Sequence, residues 1–208
     1  MNILAVGAHP DDIEFGCGGT LLKYSLSGHR IFPLVLTKGN VGGDPAVRSR
    51  EQKDAADFMG AKEVFWGGFN DTELIDNREM IQRIEEVMRK VSPDVMFLNY
   101  YDDVHQDHRA AAQAGISASR YVREVLFYEV PTTQHFDPDI FVDIMDVVEK
   151  KIELMKKHAS QIDRTRVNNL TIVESVQSCA NFRGYQGRVK FAEGFKALRV
   201  LRSINKNA

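Results

Sequence analysis

Two short stretches of this chain concentrate groups able to bind a metal ion or move a proton. His9-Pro10-Asp11-Asp12 places an imidazole and a carboxylate three residues apart on one tight loop, where both can reach a single divalent ion. Pro10 fixes its own φ and restricts His9, so the loop starts preorganised. The other carboxylate, Asp11, is then left beside such an ion, free to take a proton from its water. His105-Gln106-Asp107-His108 adds a third ligand, His108, at the start of a helix. Three protein ligands with one position open to water is the pattern of a catalytic zinc site. His105 lies one turn away, near enough to address a substrate, and Asp107 can orient His105 or serve as N-cap of the helix. Each stretch has a plainer reading as an Asx turn or helix start. Together, at the ends of two predicted strands, they point to metal chemistry.

The elements that position these groups follow from hydrophobic period. Ile3 to Ala8 is a short apolar run of the kind buried in a sheet, and Thr20 to Ser27 reads as a helix closed by Gly28. Ile31 to Thr37 is a second strand, with Pro33 suggesting an edge or an irregular start. Asp44-Pro45 opens a helix that Gly60 closes. Glu63 to Trp66 is a third strand. Asp76 with Glu79 resembles a capping box ahead of the apolar stripe Met80, Ile81, Ile84, Val87 and Met88. Val95 to Tyr100 and Val125 to Val130 are further strands, with a helix over Arg109 to Tyr121 between them. Phe141 to Ile144 reads as one more short strand, and Met145 to Ser160 and roughly Arg166 to Arg183 read as helices. This alternation predicts an α/β fold, a largely parallel sheet with helices on both faces. Such a sheet binds ligands outside the carboxyl ends of its strands, where both polar stretches fall.

Composition bounds the function. The chain has 208 residues, 43% hydrophobic and 27% charged, with 27 Lys+Arg against 29 Asp+Glu. A single domain over 1–208 is expected, and the small net charge gives no drive toward nucleic acid or anionic membrane. No run approaches a membrane span, and the first residues enter a strand with no basic segment or cleavage site. Two cysteines, Cys17 and Cys179, make no disulfide framework. A cytoplasmic location is the expectation. Gly16-Cys17-Gly18-Gly19 departs from the dinucleotide-binding fingerprint and reads as close packing of a helix on the sheet. Trp66 is open to two uses, stacking on a sugar ring or core packing.

Further short matches lie along the chain: Arg48-x-x-Glu51 ahead of Ala55-Ala56-x-x-x-Gly60, Asp71 before Leu74, and Ala192-Glu193-Gly194-Phe195. With the two polar stretches, they make nearly the whole chain resemble the LmbE-like (PIG-L) family of zinc-dependent N-acetylglucosamine deacetylases. The resemblance implies a Rossmann-like fold and a Zn²⁺ ion, or another divalent transition metal, on His9, Asp12 and His108. It implies Asp11 as general base, His105 as the second histidine acting on the intermediate or leaving amine, and Asp107 as the carboxylate that orients His105. Arg48 resembles an arginine facing the sugar, and His135 occupies a segment where some relatives set a polar group against substrate. A small amino-sugar substrate and a homo-oligomer, trimer or hexamer, are implied as well. Many members have proline where Gln106 stands, a change that loosens the loop without removing a functional group. Two rival readings are a metallophosphoesterase, disfavoured because adjacent Asp11 and Asp12 cannot easily share one bridge, and a sugar- or nucleotide-binding module without turnover.

Overall fold

The computed structural model describes residues 1–201; the last residues of the expected 1–208 domain lie outside that range. In chain order the elements are β1 (Asn2–Gly7), α1 (Asp12–Leu26), β2 (Arg30–Thr37), α2 (Pro45–Met59), β3 (Phe65–Phe69), α3 (Arg78–Val91) and β4 (Val95–Asn99). They continue with α4 (Gln106–Ala118), β5 (Glu124–Tyr128), β6 (Ile140–Asp143), α5 (Val148–Met155), a short 3-10 turn (Ala159–Gln161), α6 (Ile172–Gly187) and β7 (Ala192–Arg199). The strands form one sheet in the order β3-β2-β1-β4-β5-β7-β6. Strands β1 to β5 run parallel, and β7 lies antiparallel between β5 and β6.

Successive strand residues bury opposite faces. Ile3, Ala5, Val95 and Phe97 pack under α1, α2, α5 and α6, while Leu4, Val6, Met96 and Leu98 pack under α3 and α4. Both faces are therefore covered, as continuous apolar runs in parallel strands require. The chain reverses direction across the sheet between β1 and β4. That switch point opens a crevice at the carboxyl ends of the two strands carrying the polar stretches.

Several local signals act as the sequence suggests. Asp44 caps α2, its carboxylate accepting from the N–H groups of Ala46 and Val47, and Gly60 closes it at φ 77°. Others differ. Pro33 sits in the fourth position of an internal strand, in regular register with Ala5 of β1 and ahead of Leu34, where pairing with β3 begins, so its missing N–H costs no ladder bond to β3 and neither an edge nor an irregular start is found there. The N-cap of α3 is Asn77, not Asp76; its side chain accepts from the Met80 N–H. Trp66 is partly buried against the core. The antiparallel β7, absent from the periodicity reading, is the strand that carries Ala192-Glu193-Gly194-Phe195.

The largest departure is α1, which begins at Asp12 and not at Thr20. Gly16-Cys17-Gly18-Gly19 lies inside it, against the helix propensity of glycine. Packing decides: a Cβ on Gly16 would lie 2.0 Å from the Tyr128 ring, and one on Gly18 2.9 Å from Leu154. The helix is then tied to β7 by a buried ion pair. Lys151 Nζ donates to the Phe15 carbonyl and to Glu193, whose oxygens accept the N–H groups of Gly19 and Thr20. Removing one partner of a buried pair strands the other charge, so Glu193→Ala is expected to cost about 3–5 kcal/mol of stability. Urea unfolding measures it; a loss within the ~0.5 kcal/mol of ordinary surface substitutions would contradict the assigned role.

Candidate active site

Four strand ends, those of β1, β3, β4 and β5, meet at the crevice, and each delivers side chains. The turn after β1 brings His9, Asp11 and Asp12; the segment after β4 brings Asp103, His105, Asp107 and His108. Asp71 follows β3, Asn99 ends β4, and Thr132 follows β5. His9 Nδ1 stands 3.3 Å from His108 Nε2 and 3.7 Å from Asp12 Oδ2; His108 Nε2 is 3.3 Å from Asp12 Oδ1. All three residues are buried.

The outer ring atoms fix what the inner ones present. His9 Nε2 faces two carboxylates, Asp71 at 3.0 Å and Asp107 at 3.1 Å, so its proton belongs there and the Nδ1 lone pair points inward. His108 Nδ1 faces Asp103 at 3.2 Å and the Thr132 hydroxyl at 3.3 Å, which turns the Nε2 lone pair inward too. Asp12 Oδ2 accepts from the His9 N–H at 2.9 Å and from the Asn99 amide at 3.4 Å, leaving Oδ1 for the centre. Two inward lone pairs and a carboxylate are a donor set for a cation. Four ligands on a tetrahedral ion with bonds of ~2.0–2.1 Å lie about 3.3–3.4 Å apart, close to the spacing found. The trio His9, Asp12 and His108 fits a divalent ion such as zinc. A second grouping, His9, His105 and Asp107, is also compact. There the Asp107 carboxylate is already taken by His9 and by the N–H groups of Thr72 and Leu74.

The electrostatics show a site that draws positive charge, which protons on the two imidazoles or a divalent ion between them would supply as alternatives. Burial works against the charge on both imidazoles, yet Asp107, Asp12 and Asp71 raise His9 well above its ordinary value, and Asp12 and Asp103 raise His108 to about 9. Burial also opposes Asp12, but His108 and His9 hold it well below the usual carboxylate range. In Asp71 the His9 and Val41 N–H contacts overcome burial and bring the carboxyl to about 2.

Asp11 adjoins this trio. Its side chain keeps 22% exposure against 8% for Asp12, so it looks toward the open side of the crevice. Its backbone is at φ 93°, a left-handed conformation costing roughly 1–3 kcal/mol for a non-glycine residue. Burial raises its carboxyl to about 6, against the pull of Arg48 and His158.

Two expectations are corrected. The Asp107 carboxylate does not orient His105. It holds His9, and it is His105 that caps α4, its Nδ1 accepting the Asp107 N–H at 3.2 Å. A backbone N–H can only donate, so the proton of neutral His105 is on Nε2. Burial, with His108 and His9 beside it, lowers its pKa, which favours the neutral imidazole. Arg48 is not free to face a sugar. Only 5% exposed, it donates to the carbonyls of Gly39 (3.0 Å) and Pro10 (2.7 Å) and lies 3.4 Å from Asp11 Oδ2. Arg48→Ala is therefore expected to lower kcat about tenfold or more, the worth of a charge-assisted hydrogen bond, with a smaller change in KM. Steady-state kinetics decide; an effect confined to KM would restore the arginine to the substrate side. His135 lies outside the cluster, 85% exposed at its side chain and paired with Asp102 at 2.9 Å.

Sequence reading left Asp71, Asn99, Asp103 and Thr132 without roles. Their shared signal is position, each at or just after the carboxyl end of a strand.

Fold and site define a mostly parallel α/β protein with a two-histidine, one-carboxylate constellation at its switch point. The family profile "PIG-L: GlcNAc-PI de-N-acetylase" matches residues 4–119. "Uncharacterized deacetylase YaiS" of Escherichia coli is 36% identical over 167 residues, covering 76% of this chain and 90% of that protein. "Diacetylchitobiose deacetylase" of Thermococcus kodakarensis is 33% identical over 187 residues, covering 76% and 69%. The crystal structure of the conserved protein TT1542 from Thermus thermophilus superposes with a TM-score of 0.87 at 28% identity, covering 100% of both chains. The chain belongs to the PIG-L family of deacetylases.

Proposed function

We propose that this protein removes the acetyl group from an N-acetylglucosaminyl conjugate, giving acetate and a free amino sugar, with a divalent ion, zinc first, held by His9, Asp12 and His108. The observation that carries the reading is the inward-facing donor triangle with the Asp11 carboxylate beside it. Family membership and the deacetylase relatives supply the reaction class. An ion so held activates water at neutral pH and polarises a carbonyl oxygen.

The chain's own residues do the rest. Asp11, raised by burial and turned to the crevice, accepts the proton of the attacking water and can return it to the leaving amine. His105, fixed by its bond to the Asp107 N–H, points a neutral Nε2–H at the oxygen on which charge develops. Asp71 and Asp107 hold His9, and Asp103 and Thr132 hold His108, so the inward donors need no reorganisation. Arg48 holds the Pro10–Asp11 turn. His135 is assigned to the rim, where an exposed imidazole can meet the group attached to the sugar. Among the described residues no helix is long and apolar enough to cross a membrane; a cytoplasmic trimer or hexamer completes the reading.

The test is acetate release from N-acetylglucosamine, N,N′-diacetylchitobiose and other N-acetylglucosaminyl conjugates, with metal content measured on the same samples. Stoichiometric acetate and amine from at least one conjugate is expected. Phosphate release from sugar phosphates with no acetate from any conjugate would overturn the reading.

A further inference from the structure

Behind Asp11 lies a buried polar chain that the proposed chemistry does not use. Gln52, on α2, accepts the Asp11 N–H at Oε1 (3.4 Å) and donates from Nε2 to Glu14 Oε1 (2.6 Å). The other Glu14 oxygen lies 3.3 Å from His158 Nε2, an ion-pair distance. Glu14, Gln52 and His158 are all at 0% exposure. Three parts of the fold therefore converge on one backbone N–H: the first turn of α1, the middle of α2, and the segment between α5 and the 3-10 turn.

The order of these residues has a chemical sense. A carboxylate can only accept, so Glu14 selects the NH₂ end of the Gln52 amide. That turns the amide oxygen toward Asp11, whose N–H can only donate. Reversing the amide would set donor against donor at Asp11 and acceptor against acceptor at Glu14. His158 supplies the cationic partner that Glu14 needs at this depth. Hydrogen bonds run from carboxylate to amide to the N–H of a residue at φ 93°, and His158 stands at ion-pair distance from the far Glu14 oxygen without hydrogen-bonding to it. Arg48 holds the same turn from the carbonyl side, through Pro10 O. Gln52 is the counterpart on the amide side.

We propose that Gln52 is a positioning residue for Asp11, its amide set by the buried Glu14–His158 pair so that it holds Asp11 in the left-handed backbone conformation that turns its carboxylate to the crevice. This rests on the reading of Asp11 as the base. Gln52→Leu removes the acceptor while keeping apolar bulk. Its kcat for a turned-over N-acetylglucosaminyl conjugate is expected to fall roughly tenfold, the worth of one hydrogen bond, with KM and metal content unchanged.

Two comparisons separate positioning from bulk support. Gln52→Glu alone sets two carboxylates against each other and should lose at least as much. Combining Gln52→Glu with Glu14→Gln restores every donor–acceptor match and should recover most of the rate. In the second comparison, Gln52→Leu should have little further effect in an Asp11→Asn background, because a residue acting through Asp11 has nothing left to position. A crystal structure of Gln52→Leu gives a readout free of turnover: Asp11 should leave positive φ while His9 and Asp12 stay in place. Asp11 unmoved in that structure, no recovery in the swapped pair, or full multiplicative loss in the Asp11→Asn background would each overturn the proposal. If Asp11→Asn itself kept near-parental turnover, the reading of Asp11 as base would fail instead, a separate result.

Discussion

Replacing Asp11 by Asn is expected to lower kcat by ~10²–10⁴-fold, the range general acid–base catalysis ordinarily supplies. The amide keeps the size of the carboxylate and one acceptor oxygen, but it cannot take a proton at neutral pH. Asp11 lies outside the donor triangle, so metal content should remain that of the parent. The fold should hold as well, since Gln52, Arg48 and the Phe15 N–H bond the backbone of the Pro10–Asp11 turn and not only its carboxylate. Steady-state acetate release with metal analysis of the same preparation is the check. Near-parental turnover would remove Asp11 from the proton-transfer role.

The neighbouring carboxylate should behave differently. Asp12→Ala is expected to abolish detectable turnover and to weaken metal binding by more than ~100-fold, beyond what the loss of an outer partner of a ligand costs. It removes one of three inward donors and also the oxygen that accepts the His9 N–H, so the imidazole loses part of its orientation. Competition with a chromogenic chelator measures the affinity directly. Asp103→Asn serves as the graded comparison. It leaves all three donors in place but weakens the partner that fixes the His108 tautomer, so a loss of ~10–100-fold is expected. Equal affinities for Asp12→Ala and the parent would show that the ion is held elsewhere. The two adjacent aspartates thus separate by what each loses, Asp11 rate and Asp12 metal.

Much of this arrangement is legible in the sequence, for identifiable reasons. His9, Asp12 and His108 stand out because His and Asp crowd into two short stretches, each following a predicted strand. The alternation of apolar runs with 3.6-period stripes places those ends on one side of a sheet. Asp44, Pro45 and Gly60 mark α2 because cap chemistry is local. What escapes is what depends on distant packing. The close packing of Gly16-Cys17-Gly18-Gly19 is legible, but the start of α1 is not: glycines weaken the helical signal ahead of Thr20, and only the Tyr128 ring in the space of a Cβ shows why they lie inside the helix. Strand β7 is hidden because Lys196 and Arg199 dilute its apolar character and its partners, β5 and β6, lie far back in the chain. Asp71 and Asp103 look like ordinary loop acids; only His9 Nε2 and His108 Nδ1 give them a role. For Asp107 and Arg48 the sequence gives no sign of the neighbours their side chains meet. One carboxylate turns to His9 and not His105, and one guanidinium turns to the Pro10 and Gly39 carbonyls and not to a sugar.

The central claim, one catalytic ion held by His9, Asp12 and His108 in an N-deacetylase, is tested most directly by adding Zn²⁺ in sub-stoichiometric steps to metal-stripped protein. Acetate release is followed at each step with whichever N-acetylglucosaminyl conjugate the intact protein hydrolyses. The rate should start near zero, rise in proportion to added ion and break at one equivalent per chain; the same titration of Asp12→Ala should stay flat. Full acetate release by the stripped protein, or a titration of Asp12→Ala that matches the parent, would contradict the account.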